Sequence, residues 1–450
     1  MQIAVVGLGY VGLVTATCLA RLGQQVSGLD SDASKLAALT EGRAPFYEPG
    51  LQGALVEETD RLRFTSDPAT ALRGADVVLV CVGTPSRATG EADLGAVMAV
   101  ADTIADHLDG PTVVALRSTV PVGTTERVEE RLNERLRARG WSRPVPVVSN
   151  PEFLRTGRAL DDFLHPSRVV LGRTQLATDQ EIDQLATLYR PLEAPIFVVD
   201  ARSAELVKNA ANTYLATRIS FVNELAGLCE ATGASVTAVI DGIAADPRIG
   251  ADYLRPGLGY GGSCLPKDVR SIIAQGVEHG EPMPLARAVD EVNQRQATRT
   301  ADRLAEAIGR PLDDARIALL GLAFKPDTDD TRDSPALTLA RVLDERGAHV
   351  VACDPQAGEL IAEREPWIEV VADPVEAARD ADAVVLATEW PTYVTADLAP
   401  LAALMRGSVL FDGRNALDPA RVEGAGLTYV SVGGGASSSA AGSLLWRAEA

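Results

Sequence analysis

The chain has 450 residues, 46% of them hydrophobic and 23% charged, with a formal net charge of −20 at pH 7. That length exceeds what one hydrophobic core usually holds, so two or three domains are expected. The acidic balance argues against nucleic acid or an anionic membrane as the main partner, while leaving room for a locally basic pocket.

Five cysteines, Cys18, Cys81, Cys229, Cys264 and Cys353, stand at irregular spacing without a CxxC pair. This usage suits a reducing cytoplasm rather than a disulfide framework, and it suggests no metal site. The N-terminus runs straight into a strand-and-glycine pattern, without the basic region and cleavage site of a signal peptide, and no stretch reads as a membrane span. A soluble, cytoplasmic protein is expected.

In chain order, residues 2–6 read as a buried strand, Tyr10–Arg21 as a helix and Gln25–Asp30 as a second strand. Apolar runs at 75–85, 111–120 and 144–150 continue the series, with helical stretches between them. Such strands alternating with helices imply a doubly wound parallel sheet. From about Ala201 to Glu230, apolar residues recur at helical spacing without proline, which predicts one long helix. Further helices are predicted at Ser235–Ala244, Asp268–Gln275 and Met283–Ile308. The runs 315–332, 349–355 and 381–390 echo the opening strands and predict a second sheet of the same kind. The expected fold is α/β: two doubly wound Rossmann-like domains, 1–200 and 299–430, joined by an all-helical domain, 201–298. The small-residue stretch 431–450 is expected to be a disordered tail.

Gly7, Gly9 and Gly12 form G-x-G-x-x-G between a predicted strand and a predicted helix, and Asp30 closes the second strand. The combination points to a dinucleotide, with glycines for the turn, the backbone approach and the helix packing. Asp30 suits ribose hydroxyls and repels a 2′-phosphate, favouring NAD over NADP. Lys35 pulls slightly the other way, and FAD or a mononucleotide is the alternative. In the second sheet Gly321 is followed by Leu322, Ala323, Phe324 and Lys325, so a dinucleotide cannot come so close. A lysine beside that helix N-terminus suits a diphosphate instead.

Gly259, Gly261 and Gly262 lead into Cys264, Lys267 and Asp268. A loop so rich in glycine either adopts unusual dihedrals or hugs a ligand. A cysteine is more often a small buried apolar residue. Here it stands ahead of a predicted helix, where the dipole and Lys267 favour thiolate.

With these motifs, and with CVGTP (81–85), STVPVGT (118–124), NPEFL (150–154), ELVKNAAN (205–212), GLAFKPDTDDTR (321–332) and FDGRN (411–415), the chain resembles the UDP-glucose/GDP-mannose 6-dehydrogenase family from residue 1 to about 430. The resemblance implies a four-electron oxidation of a sugar alcohol with two NAD, through a thiohemiacetal and a thioester on Cys264. Lys208 and Asn212 would stabilise charge at the reacting oxygen, Asp268 and Glu152 would move protons and water, and Thr119 would hold a water. The i, i+4 spacing of Lys208 and Asn212 separately sets both on one helix face.

For NAD the resemblance implies Gly7, Gly9, Tyr10, Val11, Gly12, Asp30, Lys35, Thr84, Thr119, Glu152, Lys267 and Arg332. For the nucleotide sugar it implies Glu152, Phe153, Leu154, Arg155, Thr156, Lys208, Asn212, Arg248, Tyr253, Leu254, Arg255, Gly257, Gly261, Lys325 and Arg414. Arg248 would reach into the neighbouring subunit of a homodimer built on the long helix, for which Leu206, Val207, Leu215, Ile219, Val222 and Leu225 are the apolar candidates. Those residues can equally pack within the monomer. Two positions depart from the pattern: Thr156 replaces the usual Glu, and Pro326 replaces a common second base. Arg255 leans towards the GDP-mannose branch, whereas FDGRN and the long helix lean towards UDP-glucose. UDP-glucose is the expected substrate, with GDP-mannose or dTDP-glucose as the alternatives. Outside this reaction, the competing readings are a non-catalytic binding scaffold and a two-electron hydroxyacid dehydrogenase.

Overall fold

A computed structural model describes residues 1–434. Most of the predicted tail, 435–450, lies outside the described residues. Its first residues are built in: Ser431 ends the last strand, and Gly433 and Gly434 hydrogen-bond to Glu230 and Arg303. The chain divides into two compact units, Met1–Ala211 with Arg270–Pro282, and Asn212–Val269 with Met283 onward.

The first unit carries β1 (Gln2–Val6), β2 (Gln25–Leu29), β3 (Leu62–Thr65), β4 (Val77–Val80), β5 (Val113–Leu116), β6 (Val147–Ser149), β7 (Val169–Arg173) and β8 (Ile196–Asp200). They form one sheet in the order β3-β2-β1-β4-β5-β6-β7-β8. The strands from β1 to β6 run parallel, and their fully apolar members, β4 and β5, are buried throughout. The parallel run stops there. β7 meets β6 antiparallel through Ser149 and Gly172, and β8 then pairs parallel to β7. A Cβ at Gly172 would lie 2.5 Å from the Cβ of Ala204, so glycine lets β7 press against the start of the long helix. Two apolar clusters cover the two faces of the sheet.

The second unit carries β9 (Arg316–Leu320), β10 (His349–Cys353), β11 (Glu369–Val370), β12 (Ala383–Leu386), β13 (Val409–Asp412) and β14 (Thr428–Ser431). Their order, β11-β10-β9-β12-β13-β14, is all parallel and repeats that of the first six strands. In the chain, the helices Ala201–Thr232, Val236–Ala244, Leu265–Glu278 and Pro284–Ile308 come between the strands of the first sheet and those of the second. The two Rossmann-like ends and the helical centre match the fold read from the sequence. The helix after the glycine-rich loop begins at Leu265, earlier than expected, so Cys264 directly precedes its first turn. In the long helix Val222 is wholly buried in the core of the second unit and Leu225 packs against it. The exposed apolar residues are Leu206, Tyr214, Phe221 and Leu228. Among the described residues, no helix is long and apolar enough to cross a membrane.

Candidate functional site

In the first unit, β1 leads into the helix Tyr10–Arg21 through Gly7, whose φ is +91° and whose N–H bonds the Leu29 carbonyl at 2.8 Å. A Cβ on Gly12 would lie 1.8 Å from the Gly7 oxygen, whereas one on Gly9 would meet nothing within 4 Å. Packing therefore dictates Gly12, and Gly9 faces open space. No side chain caps the helix at Gly9, which leaves first-turn N–H groups for an anion. Val11 packs against the core.

The Asp30 carboxylate accepts from Leu8 N at 2.7 Å and from Lys35 Nζ at 2.8 Å. Burial opposes its ionisation, but Lys35 and the N–H groups of Asp32 and Leu8 outweigh burial and hold the carboxyl below its usual range. Lys35 is thus engaged with Asp30 rather than waiting for a phosphate. An uncapped helix start, an open glycine and a charged ribose-side acid together fit NAD.

Glu152 and Lys208 form a buried ion pair at 2.9 Å, each side chain 4% exposed. Glu152 also accepts from Leu154 N at 2.6 Å. Burial pushes its carboxyl up, yet Lys208, the Leu154 N–H and Arg117 together hold it below the carboxylate range. The Phe153 ring has two cations near it, Arg168 at 3.7 Å and Lys208 at 5.6 Å from its centre. Thr84 donates to the Thr119 carbonyl at 2.7 Å. Arg155 is drawn to the surface by Asp162 at 2.6 Å.

Thr156 hydrogen-bonds Tyr10, whose hydroxyl also bonds the buried Glu48. Glu48 accepts from Gly157 N at 2.6 Å and Ala159 N at 2.8 Å. The carboxylate at this corner comes from Glu48 in the FYEPG turn, which sequence reasoning missed. Its only sequence signal is an acid between an aromatic residue and Pro-Gly.

In the second unit, Cys264 is half-buried while Cys18, Cys81, Cys229 and Cys353 are buried. Burial pushes the Cys18 and Cys81 thiols up to about 12. Cys264 sits at the N-terminus of Leu265–Glu278, and Arg332, paired with Asp330 at 2.7 Å, lies close enough to interact with the sulfur's charge. Both features favour thiolate. Lys267 Nζ donates to Asp268 at 2.6 Å. The other oxygen of Asp268 accepts from Asn212 Nδ2 at 2.6 Å, with the carboxylate almost fully buried. The glycine-rich loop lies against residues 332–333. Gly262 N bonds the Arg332 carbonyl at 2.9 Å, and a Cβ at Gly261 would come within 2.3 Å of the Asp333 oxygen.

Ahead of that loop, Gly257 N bonds Asn223 Oδ1 at 2.8 Å and Leu258 N bonds the Gly413 carbonyl at 3.1 Å. Leu254 is buried, and Tyr253 holds φ of +60°, a strained value for a non-glycine residue. Arg218 from the long helix grips the Ile249 and Gly250 carbonyls at 2.8 and 2.7 Å. Arg255 is exposed, and Arg248 is exposed and paired with Asp246 at 2.6 Å. Arg414 donates to the carbonyls of Ala387 at 2.6 Å and Phe324 at 2.8 Å, bracing the ends of two loops. Lys325 does not flank a helix N-terminus as expected. It lies in the irregular stretch from Gly321 to Ser334, because the helix begins only at Pro335.

Against models of known families, residues 1–193 match the NAD binding domain of the UDP-glucose/GDP-mannose dehydrogenase family, 202–295 its central domain and 318–419 its UDP binding domain. A UDP-glucose 6-dehydrogenase of Bacillus subtilis is 41% identical over 439 residues, covering 96% of this chain and 93% of that protein. One of Pseudomonas aeruginosa is 42% identical over 441 residues, covering 96% and 97%. The solved UDP-glucose dehydrogenase of Pyrobaculum islandicum aligns with a TM-score of 0.88 at 37% identity, covering 96% of this chain and 98% of that one.

Proposed function

The chain belongs to the UDP-glucose/GDP-mannose dehydrogenase family, an NAD-dependent oxidoreductase family, and we propose that it oxidises UDP-glucose to UDP-glucuronate with Cys264 as covalent nucleophile. NAD, when bound, takes up one hydride at each of two oxidations. The observation that carries this reading is Cys264 itself: among five thiols it alone is not buried, and it stands at a helix N-terminus beside Arg332.

Lys208 and Asn212 stabilise the oxyanion as the C6 alcohol loses its proton and hydride. The thiolate of Cys264 adds to the resulting aldehyde, and the oxygen takes up a proton to give a thiohemiacetal. Loss of that proton and a second hydride gives a thioester. Water, activated through Asp268 or Glu152 with Thr119 orienting it, releases the carboxylate and restores the thiol. A two-electron alcohol oxidation requires no such nucleophile.

Lys325, Arg255 and Arg414 are assigned to the diphosphate side and Tyr253 to the base, with Gly257 and Gly261 allowing close approach. Residues 1–200 serve NAD, 299–430 the nucleotide, and 201–298 form a homodimer, with Arg248 reaching the neighbouring site. The exposed stripe of Tyr214, Phe221 and Leu228, one residue every seven along the long helix, supports the dimer. Five cysteines, none in a disulfide, support a cytoplasmic location.

Parallel steady-state turnover of UDP-glucose, dTDP-glucose and GDP-mannose tests the substrate. The highest kcat/KM is expected for UDP-glucose, and preference for the guanine sugar would overturn the assignment. Cys264→Ser is expected to stop after the aldehyde stage, leaving an adduct visible by mass spectrometry; full turnover would remove Cys264 from the reaction.

A further inference from the structure

Within the first unit, a second buried carboxylate lies one helical turn before Lys208. Glu205 is 2% exposed and does not pair with a cation in any ion pair described for it. Its two oxygens accept from Gly123 N at 2.6 Å, Thr125 N at 2.7 Å and Thr125 Oγ1 at 2.6 Å. Burial pushes its carboxyl up, and the three donors counter that shift only in part. These donors open the helix Thr124–Ala138, whose N-cap, Gly123, has no side chain and adopts φ of +87°. Glu205 therefore supplies from another helix the cap that the local sequence cannot.

Two neighbouring side chains grip the same loop. Asn209 donates to the Val120 carbonyl at 3.2 Å, and Gln275 accepts from Val122 N at 2.9 Å. On its other side, Thr84 and Ser118 tie the loop to the end of β4, through the Thr119 carbonyl at 2.7 Å and the Val82 carbonyl at 2.6 Å. The loop carrying Thr119 is thus held at five backbone groups, those of Thr119, Val120, Val122, Gly123 and Thr125. The helix that fixes it also carries Lys208, the buried partner of Glu152. One helical segment holds the Thr119 loop with Glu205 and Asn209, and holds Glu152 with Lys208.

We propose that Glu205 is a positioning residue for hydride transfer: it sets the Thr119 loop relative to the Lys208–Glu152 pair. This rests on the roles given above to Thr119, Lys208 and Glu152. Glutamine at 205 keeps the shape, but its amide N–H₂ faces N–H donors, so one grip is lost and the loop shifts. A misplacement of about 1 Å near reacting atoms costs on the order of 10²-fold in rate.

Single-turnover formation of the first NADH, with enzyme in excess over UDP-glucose and NAD saturating, tests the proposal. Glu205→Gln is expected to lower the rate constant about 10- to 100-fold at undiminished amplitude. Loss of amplitude at an unchanged rate, the signature of fewer folded molecules, would overturn it, as would a wild-type rate and amplitude. If that variant does not fold, Thr125→Val removes the hydroxyl donor alone and is expected to slow the same step by a smaller factor, with a wild-type rate overturning the proposal. Wild-type enzyme that forms no NADH from the sugar would overturn the reading of the site. A normal wild type with an unslowed Glu205 variant would overturn the clamp alone.

Discussion

The two sheets share a skeleton and differ in what they do with the same acid. At the end of β2, Asp30 accepts from Leu8 N at 2.7 Å; at the end of β10, Asp354 accepts from Leu322 N at the same 2.7 Å. In both, the glycine just before that leucine donates to the last carbonyl of the strand that the acid follows, at 2.8 Å. Beyond this point they part. Asp30 stays partly exposed, with Lys35 as its charged neighbour. Asp354 is 8% exposed and also accepts from Ala323, Gln356 and Ala357 N–H groups and from Trp390 Nε1. Ala323 and Pro326 stand where the first sheet has Gly9 and Gly12. The second sheet has filled with protein the places that the first leaves to a ligand. In the function proposed above, its ligand groups come instead from loops, from Lys325 and Arg414. A shared backbone therefore does not imply a shared site; the donors left unfilled decide it.

The largest expected effect is at the buried charges of the first unit. Glu152 is held below its unfolded pKa of about 4.3, so its ionisation contributes stability above that pH, lost as pH falls through the folded value. Lys208→Met strands the carboxylate and should cost about 3–5 kcal/mol at neutral pH. The variant's carboxyl protonates at higher pH, so its deficit in Tm should narrow as pH falls from 8 to 5. A constant deficit would show that the pair does not depend on charge.

Gly12→Ala comes next, because the added carbon meets the Gly7 oxygen. Calorimetry should show NAD binding about 10²-fold weaker, with UDP binding unchanged. Equal loss of both would break the distinction between the two units.

Asp354→Asn should cost about 1–3 kcal/mol, read as a lower Tm, since an amide cannot satisfy five donors. Asp30→Asn is the mildest for the fold: it should leave Tm nearly unchanged and weaken NAD. If Asp30→Asn destabilises as much as Asp354→Asn, the two acids have the same role and the contrast fails.

Much of this was legible in the sequence because β4 and β5 are uninterrupted apolar runs and the long helix repeats apolar residues at helical spacing without proline. β7 and β8 were not: β8 leaves Phe197 and Val198 exposed, so its pattern carries no buried face. At the site, the glycine triplet and Cys264 announced themselves through local spacing. Side chains whose partners lie far along the chain did not. Glu205 meets Thr125 across 80 residues and Glu48 meets Gly157 across 109, and no local rule links them. The pairing of Lys35 with Asp30 and of Lys267 with Asp268 is likewise not written in the spacing. A charge's partner is a property of the fold.

The reaction assigned to Cys264 is tested most directly by counting NADH released per UDP-glucose consumed at completion. Two per sugar is the expected result, with UDP-glucuronate as the sole sugar product. One per sugar, with an aldehyde as product, would contradict the covalent four-electron reaction.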